Sequence, residues 1–338
     1  MSTFYNQASK VPLINLVGCG GCGINLIDLF VRYEKDYNIP KIYKFDTSTA
    51  NVTKDDNVNI LTTDGGGSGK VRTTHAKELK TELTSFEKWI NPNPEIAIII
   101  SSVSGGSGNT LLTFMLAEFA KRGVQPILFL VADTSSEIDN KNTKDALNSI
   151  MHSANVNNIY VPVSVYHNNE TDRNQVDKMV IRDLTNLTHL LTVDTYEVDR
   201  MDRIHWLNAS KTINVEPGVV TLKVYSEFGS DSNVSNPLED IKDDDIYDSV
   251  LSLGVPDKTG VRMITSVGRK SRFSKEGVNI SEEFPYPIIG CITPSNREIY
   301  KILDTCQSNL NEYNKYTEKH NTSKRKINID ANDPNILI

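Results

Sequence analysis

Cysteine is scarce in this sequence, with four residues among 338. So few cysteines do not supply the disulfide framework that holds small secreted proteins together. Cys19 and Cys22 form a C-x-x-C pattern, but Cys291 and Cys306 are not closely spaced and have no histidine beside them. The second ligand pair of a zinc site is therefore missing. We assign no metal to the cysteines and interpret Cys19 and Cys22 as small residues of a tight loop.

Long apolar runs and a basic surplus are also absent. The longest runs, such as Ile96–Ile100 and Ile127–Ala132, are far too short to cross a bilayer. The polar segment Met1–Lys10 lacks the basic and apolar regions of a signal peptide. The net charge of −7 argues against a surface that coats nucleic acid. We expect a cytoplasmic protein that binds neither a membrane nor, directly, nucleic acid.

The first half of the chain alternates short apolar runs with helix-like segments. The predicted strands are Leu13–Val17, Ile39–Phe45, Asn57–Leu61, Glu95–Ser101, Val124–Val131 and Ile159–Val165. The predicted helices are Ile24–Tyr33, Thr73–Trp89, Leu111–Lys121, Lys141–Ser153 and Asn174–Leu191. Such alternation indicates a parallel sheet with helices on both faces.

The second half is richer in β-structure. Strand-like segments occur at Val219–Tyr225, Gly260–Gly268 and Pro287–Thr293, and a helical tail runs from Pro294 to about Lys319. The predicted fold class is α/β: a Rossmann-like parallel-sheet nucleotide-binding domain, a long central helix, a smaller α/β domain and a C-terminal helical tail. We place these units at residues 1–173, 174–193, 194–293 and 294–338.

Two glycine clusters carry most of the functional information. Gly18–Asn25 and Ser104–Thr110 each follow an apolar run and lead into a helix-like stretch. Glycine permits positive φ and lets backbone N–H groups approach a ligand closely. At a helix N-terminus those N–H groups attract phosphate. Two such loops in one α/β segment predict a nucleotide held from two sides.

Two simpler interpretations compete. Gly18–Gly23 fits G-x-G-x-x-G, and Asp46 ends the second strand where a dinucleotide enzyme places its ribose-binding acid. An NAD-linked oxidoreductase leaves the second cluster unexplained. Gly65–Lys70 invites a P-loop interpretation, but Asp64 stands where that motif needs glycine and Val71 where it needs Ser or Thr. The segment remains either a loop that closes over a terminal phosphate or a plain linker.

Taken together, the loops resemble the tubulin/FtsZ family of GTPases over roughly residues 13 to 300. Gly18–Asn25 matches the family's first loop, G-x-G-G-x-G-x-N, at every specified position. Ser104–Thr110 is similar to the tubulin signature: its middle, Gly105–Gly108, is kept, whereas Ser104, Asn109 and Thr110 replace the flanking residues. The resemblance implies a guanine-nucleotide cradle that binds GTP or GDP with Mg²⁺.

The resemblance also implies roles for individual residues. Asp46 lies in the loop that contacts phosphate or magnesium, Gly65–Gly69 in the loop that senses the γ-phosphate, Glu137 and Asp139 in the ribose region, and Asn174 where an asparagine reads guanine. The implied nucleotide-binding residues are Gly20, Gly21, Cys22, Asn25, Asp46, Gly66, Gly67, Ser68, Gly105, Gly106, Ser107, Gly108, Asn109, Glu137 and Asn174.

In this family an acidic pair at the start of the helix after the central helix completes the active site of the next subunit. Asp194 with Glu197 and Asp199 with Asp202 both fit its spacing, and we favour the first pair. The resemblance therefore implies a GTPase that polymerises head to tail into dynamic cytoskeletal filaments. The altered loops and the long tail are most similar to the plasmid- and phage-borne partition tubulins of the TubZ type.

Several alternatives stay open. Within the family, these are a cell-division FtsZ-type protein and a phage-positioning tubulin; outside it, a nucleotide-binding scaffold without hydrolysis and the NAD-linked oxidoreductase. In TubZ-type relatives the tail contacts a DNA-bound adaptor, which would suit Lys324–Lys326, although a solvated tail explains that basic cluster equally well. The acidic run Asp243–Asp245 is interpreted as a solvated segment rather than a cation site.

Overall fold

A computed structural model provides the fold. It describes residues 12–33, 41–50, 52, 57–90, 94–168, 172–192, 199–208, 217–226, 262–265, 273–274, 277–278, 288–294 and 296–323, with side chains in the last helix to residue 319. The helices are α1 Gly20–Tyr33, α2 Ala76–Glu82, α3 Phe86–Trp89, α4 Ser107–Lys121, α5 Glu137–Val156, α6 Arg173–Thr192, α7 Arg200–Leu207 and α8 Arg297–Ser323. A single 3₁₀ turn, Leu83–Ser85, separates α2 from α3.

Most strands belong to one large sheet. The strands are β1 Ile14–Cys19, β2 Lys41–Asp46, β3 Val58–Ile60, β4 Ile96–Ser102, β5 Gln125–Ala132, β6 Tyr160–His167, β7 Gly218–Ser226, β8 Arg262–Thr265, β9 Phe273–Ser274, β10 Gly277–Val278 and β11 Ile288–Thr293. The nine-stranded sheet has the order β3-β2-β1-β4-β5-β6-β7-β11-β8, and β9 and β10 form a separate hairpin. Pairing is parallel from β3 through β7 and antiparallel from β7 to β11 and β8.

Helices cover both faces of the sheet, because side chains of a strand point alternately to opposite faces. On β1, Ile14 and Leu16 join the core that contains α1, α6 and α7. Val17 and Cys19 join the other core, which contains α2 to α5 and the start of α8. A parallel sheet buried on both faces leaves its carboxyl edge as the natural place for a ligand site.

The predicted α/β fold class is confirmed, and several element boundaries differ. The predicted helix Thr73–Trp89 is broken into α2, the 3₁₀ turn and α3. Helix α5 begins before the predicted Lys141, because the Ser136 hydroxyl accepts the Asp139 N–H and caps the helix. Helix α7 follows the central helix, where the resemblance implied a helix without giving its bounds. The domain boundaries stay predictions; the sheet itself passes from β6 to β7 without a break.

Helix α7 is fixed against the amino edge of the sheet. The Arg200 Nε donates to both carboxylate oxygens of Glu95, at 2.9 and 2.8 Å, immediately before β4 begins. Arg203 is buried and its Nε donates to the Leu190 carbonyl at 3.0 Å, which joins α7 to the end of α6. Trp206 packs so closely on β11 that a Cβ on Gly290 would lie 2.6 Å from its ring. Within the described ranges, no helix has the length and apolar character needed to cross a membrane.

Candidate nucleotide-binding site

An open cleft of about 740 Å³ lies at the carboxyl edge of β1, β4 and β5. Its lining comes from the loops that follow these strands, from the glycine-rich segment after β3 and from the first turns of α5 and α6. The lining residues are Cys19, Gly20, Gly21, Cys22, Asn25, Leu26, Asp46, Ser48, Gly66, Gly67, Ser68, Gly69, Lys70, Ser102, Ser104, Gly105, Gly106, Ser107, Gly108, Val131, Asp133, Asp139, Asn168, Arg173 and Asp177. The position is the one that an open α/β sheet offers to ligands.

The two glycine clusters meet in this cleft. Gly20 opens α1 with φ of +71°, and a Cβ placed there would lie 2.7 Å from the Cα of Gly108. A Cβ on Gly108 would lie 2.7 Å from the Cys19 carbonyl oxygen. Real Cβ atoms do not approach backbone atoms so closely, so both positions need glycine. The clusters therefore bring the N-termini of α1 and α4 together as one surface of backbone N–H groups.

The loop Ser104–Thr110 is held in place by hydrogen bonds to backbone carbonyls behind it. Asn109 is fully buried, and its Nδ2 donates to the carbonyls of Val103 at 2.7 Å and Asn142 at 3.0 Å. The Thr110 hydroxyl donates to the Arg72 carbonyl at 2.7 Å. Asn109 thus holds the loop shape from the protein interior.

The segment after β3 is attached to the loop after β2. The Gly67 N–H donates to the Thr47 carbonyl and the Thr49 N–H to the Gly65 carbonyl, each at 3.0 Å. The hydroxyls of Thr47 and Ser68 both contact the Ser107 hydroxyl, at 2.5 and 3.1 Å. Gly65–Lys70 is therefore part of the cleft wall, and three loops converge on the N-terminus of α4.

Asp46 is an acidic residue beside these loops. It is 2% exposed, and its carboxylate accepts the Thr47 N–H at 2.7 Å. Burial raises the pKa of Asp46, an effect that the N–H groups of Thr47 and Ser48 oppose without cancelling it. The site keeps an acidic oxygen beside a surface of N–H groups and hydroxyls.

An ion pair crosses the cleft wall beside these loops. Lys70 Nζ lies 2.7 Å from Asp139 Oδ1. Asp139 is almost completely buried in the first turn of α5, and its second carboxylate oxygen accepts the Ser136 hydroxyl. The Lys70 carbonyl in turn accepts the Asn142 Nδ2 at 2.9 Å.

A second part of the cleft wall consists of side chains, and it adjoins the first glycine cluster at Cys22. Arg173 and Asp177 are one turn apart on α6 and both line the cleft, as do Asp133 after β5 and Asn168 after β6. Burial raises the pKa of Asp177; Arg173 opposes this and Asp172 adds to it. Burial would raise the pKa of Asp133 too, but hydrogen bonds from Ser135 and the nearby Arg173 and Lys70 lower it overall. Burial, with Asp177 nearby, raises the pKa of Cys22 to about 12, so its thiol is neutral.

The structure brings most of the implied nucleotide-binding residues together. Those that line the cleft are Gly20, Gly21, Cys22, Asn25, Asp46, Gly66, Gly67, Ser68, Gly105, Gly106, Ser107 and Gly108. Three do not line it: Asn109 is buried behind the loop, and Glu137 and Asn174 are exposed outside the cleft. Their assignment stays a prediction.

Several residues of the cleft were not predicted from the sequence, namely Ser102, Asn168, Arg173 and Asp177. Asn168 directly follows a buried strand, a position that brings polar residues to the carboxyl edge. Arg173 and Asp177 are separated by four residues and so share a helix face. That spacing was a usable signal, although it does not say which face the sheet leaves open.

The sequence assigned no metal to the cysteines or to the acidic run. Cys19 is buried and Cys22 lines the cleft, and both are free thiols. No cluster of three or more potential His, Cys, Asp or Glu metal ligands occurs in the described part of the chain. The acidic run Asp243–Asp245 and the basic cluster Lys324–Lys326 lie outside the described residues.

One of the two acidic pairs can be located. Asp199 is the N-cap of α7: its carboxylate accepts the Asp202 N–H at 2.9 Å, while the Asp202 carboxylate accepts the Asp199 N–H at 3.1 Å. This reciprocal capping box sits beside Arg200, which is bound to Glu95 at the amino end of β4. Since β4 has seven residues, roughly 23 Å of strand separates this edge from the cleft. Asp194 and Glu197 lie outside the described residues.

Comparison with known proteins agrees with this geometry. No protein-family model matches the chain. The chain is 22% identical over 330 residues to a phage tubulin-like protein of Pseudomonas phage phiKZ. The aligned region covers 93% of this chain and 94% of the relative. It superposes on a protofilament structure of TubZ from bacteriophage PhiKZ with a TM-score of 0.73, 19% identity and 96% coverage of both chains. The GDP complex of the phage tubulin PhuZ gives a TM-score of 0.70 at 16% identity, covering 98% and 100% of the two chains.

The chain thus has the fold of the tubulin and FtsZ structures and is similar in sequence to phage tubulin-like proteins, in agreement with the resemblance seen in its loops. A second Pseudomonas phage, PhiPA3, also has a tubulin-like relative, 24% identical over 225 residues. Among tubulin-like proteins, the chain is thus similar to those of phages, represented by TubZ and PhuZ.

Proposed function

We propose that this protein binds and hydrolyses GTP and that it assembles head to tail into filaments, each active site being completed by the next molecule. One observation carries the proposal: the cleft lies at the carboxyl edge of the sheet, whereas the acidic pair Asp199 and Asp202 lies at the amino edge. The pair does not reach the cleft of its own molecule. In a head-to-tail stack the amino edge of one copy faces the cleft of the next, and such heterologous contacts generate open filaments.

Guanine fits the side-chain end of the cleft. The ring N–H and the exocyclic amine of guanine are adjacent donors, and an ionised carboxylate accepts two parallel hydrogen bonds. Asp177 offers such a carboxylate, with Arg173 beside it. Adenine presents an acceptor where guanine has its ring N–H, so the same carboxylate disfavours it. We assign base recognition to Asp177, in place of the exposed Asn174 that the resemblance implied.

Triphosphate fits the glycine-loop end. The N-termini of α1 and α4 supply N–H groups and the positive ends of two helix dipoles. Mg²⁺ takes oxygen ligands, commonly one or two carboxylates together with substrate phosphates. The Asp46 carboxylate and the Ser48 hydroxyl, both in the cleft wall, match that donor set. Bound there, Mg²⁺ would neutralise phosphate charge and the repulsion between phosphate and Asp46.

Hydrolysis needs a group that orients and deprotonates the attacking water. A carboxylate within hydrogen-bond reach of that water can do both. The family places its acidic pair at the start of the helix after the central helix, and α7 starts at Arg200 with Asp199 as its cap. This position supports Asp199 and Asp202 over Asp194 and Glu197 as the pair that acts on the neighbour's nucleotide. The cleft N–H groups stabilise the charge that develops on the phosphates.

The relatives support the cellular setting only in outline. One is a TubZ protofilament and another is a PhuZ complex with GDP, and the sequence relatives come from phages. Phage origin favours the phage-positioning role over plasmid partition. An adaptor bound through Lys324–Lys326 stays a proposal without support from these neighbours.

The dinucleotide interpretation is less consistent with the site. It needs Asp46 as an exposed acceptor for a ribose hydroxyl. Asp46 is instead buried, holds the Thr47 N–H, and stands beside the glycine loops at the phosphate end. We therefore propose no hydride-transfer activity.

The proposal is tested with purified protein, GTP and Mg²⁺, by measuring sedimentable polymer and phosphate release as protein concentration rises. Hydrolysis completed in the filament predicts that phosphate release begins only above the concentration at which polymer forms. Phosphate release that is linear from the lowest concentration would contradict completion by a neighbour, and neither polymer nor release would overturn the proposed function.

The acidic pairs are separated by matched variants. Asp202→Asn keeps an acceptor for the capping box and should polymerise with GTP while phosphate release falls by about a hundredfold or more. Glu197→Gln, a control at the alternative pair, should hydrolyse GTP like the unmodified protein. The reverse pattern would assign the reaction to Asp194 and Glu197.

A further inference from the structure

Lys70 is an unusual residue for its position. It follows four glycines and a serine in the loop Gly65–Gly69, adopts φ of +64°, and lines the cleft. Positive φ is uncommon for a residue with a Cβ and is kept where the surroundings enforce it. Here the Asn142 Nδ2 holds the Lys70 carbonyl at 2.9 Å. The backbone is thus fixed so that the side chain projects from the rim of the phosphate end.

The loop that carries Lys70 touches the helix terminus expected to hold phosphate. A Cβ on Gly106, the N-cap of α4, would lie 2.1 Å from the Ser68 hydroxyl oxygen and 3.1 Å from the Lys70 carbonyl carbon. Lys70 therefore starts in contact with the α4 N-terminus, and its flexible four-carbon chain carries three donors and one charge.

The ion pair with Asp139 is asymmetric. Lys70 is 57% exposed and Asp139 only 5%. The Asp139 carboxylate has a second hydrogen bond from the Ser136 hydroxyl, and it lies in the first turn of α5, where the helix dipole favours a negative charge. Asp139 thus remains solvated by the protein if Lys70 leaves. Since a half-exposed ion pair contributes little, a phosphate could displace Asp139 as the partner of Lys70.

Charge balance gives Lys70 a reason to move. The cleft lining contains four carboxylates, Asp46, Asp133, Asp139 and Asp177, and two cationic side chains, Lys70 and Arg173. Arg173 acts on Asp177 and on Cys22 of the first glycine cluster. Lys70 is the cation of the described lining whose own loop contacts the N-terminus of α4.

We propose that Lys70 is a phosphate-binding residue: it exchanges Asp139 for the terminal phosphate of a bound guanosine triphosphate. Gly65–Lys70 lacks the P-loop pattern. Its lysine would nevertheless contact the terminal phosphate, as a P-loop lysine does, from a loop of different backbone conformation. The inference rests on the proposed function, since it needs a nucleotide in this cleft. A lysine that pairs with the last phosphate makes the loop sensitive to whether that phosphate is present.

The test measures the affinities of three ligands, GMP, GDP and a slowly hydrolysed GTP analogue, all with Mg²⁺, by titration calorimetry below the polymerisation threshold. Lys70→Met should weaken binding of the triphosphate analogue about tenfold or more, GDP less, and GMP under about twofold. Lys70→Arg should retain most of the affinity. Asp139→Asn should bind the analogue at least as tightly as the unmodified protein, because Lys70 loses its competing partner. Lys77→Met, an exposed lysine of α2 outside the cleft, is the matched control.

Each other outcome overturns the inference. An equal loss for all three ligands in Lys70→Met would mean that Lys70 only maintains the loop, and no loss would mean that it only pairs with Asp139. Urea unfolding of Lys70→Met without nucleotide shows whether the variant is folded. If it is not folded, the affinities of Lys70→Arg and Asp139→Asn for the triphosphate analogue test the inference. If the unmodified protein binds none of the ligands, the proposed function fails together with the inference. If it binds them and only the variant pattern is wrong, the inference alone fails.

Discussion

The two ends of the cleft are built in different ways. At the phosphate end, formed by the two glycine clusters and Gly65–Lys70, the wall consists of closely packed backbone. Gly20 contacts Gly108, and Gly106 contacts the loop that contains Ser68. At the base end, the wall consists of side chains from α6 and from the ends of β5 and β6, such as Asp177 and Asn168. A backbone surface binds what every nucleoside triphosphate shares, whereas a side-chain surface selects among bases. The difference predicts that substitutions at one end affect fold and all phosphorylated ligands, and at the other end affect only base choice.

The largest effect is expected for Gly20→Ala. The added Cβ would lie 2.7 Å from the Cα of Gly108, and the positive φ of +71° is unfavourable for alanine. Left-handed backbone costs roughly 1–2 kcal/mol and overpacking another 1–3 kcal/mol, so the free energy of unfolding should fall by about 2–5 kcal/mol. Urea denaturation measures this, and binding of GMP, GDP and the triphosphate analogue should weaken together.

Gly105→Ala is the matched control, because nothing lies within 4 Å of a Cβ at Gly105 and its φ is not positive. The change should alter stability by no more than about 1 kcal/mol, and in the stabilising direction if the backbone is already compatible with alanine. Equal destabilisation by both variants would refute the picture of a phosphate end defined by backbone contact at specific glycines.

Asp177→Asn should have the second-largest effect, and only on base choice. The variant keeps one acceptor oxygen but replaces the other with a donor, so one hydrogen bond to guanine is lost and a repulsion is added. Hydrogen bonds to charged groups contribute about 1.5–3 kcal/mol, which corresponds to a loss of about 10- to 100-fold in the ratio of GTP to ATP affinity. Fold stability should change little. Competition between labelled GTP and unlabelled ATP or GTP measures the ratio.

Asn174→Ala is the control for this position, since Asn174 is exposed and lies three residues before Asp177 on the same helix. It should change the GTP to ATP ratio less than about twofold, within the range of ordinary surface substitutions. If Asn174→Ala abolished discrimination and Asp177→Asn did not, base recognition would follow the family assignment that the sequence resemblance implied.

The same contrast explains what could be predicted from sequence. Gly18, Gly20 and Gly23 each leave room for a backbone atom where a Cβ would collide, so the pattern of the phosphate end is visible as glycine in the sequence. The base end depends on which face of α6 turns toward the sheet edge. Asn174 and Asp177 are both polar residues of the first turns, and only the packing of Val176 and Val180 into the core determines that Asp177 faces the cleft.

The fold shows the same division. Buried strands and their order along the chain were predictable from short apolar runs, because a parallel sheet covered on both faces produces them. Helix α7 has only eight residues, and it was expected from the resemblance alone. The Asp199–Asp202 spacing that fits the family's acidic pair also forms a reciprocal capping box. A capping role and a catalytic role are compatible, since the outer lone pairs of both carboxylates remain available.

The smallest effect on stability is expected for a substitution of Asp46, whose carboxylate accepts the Thr47 N–H in the loop after β2. Its folded pKa is raised above the ordinary value of 3.8, so folding favours its protonated form. The resulting stabilisation is fully present below pH 3.8 and is lost as the pH rises through the raised folded pKa. At neutral pH the unliganded protein therefore contains a charged group that opposes folding.

Asp46→Asn should consequently stabilise the unliganded protein at pH 7, by about 1 kcal/mol or less, and the gain should vanish as the pH falls below 3.8. Urea denaturation between pH 3 and about pH 8 measures it, with the same series on Glu87→Gln, an exposed residue of α3, as the matched control. A gain independent of pH would mean that the amide packs better and that ionisation is irrelevant. Asp46 lowers the stability of the unliganded protein at neutral pH, and the Mg²⁺ that we propose to bind there explains why a carboxylate occupies this position. Asp46→Asn should therefore bind the triphosphate analogue with a weaker dependence on Mg²⁺. This would sharpen the contrast between the ends: the base end uses its carboxylate on the ligand directly, and the phosphate end uses its carboxylate through a cation.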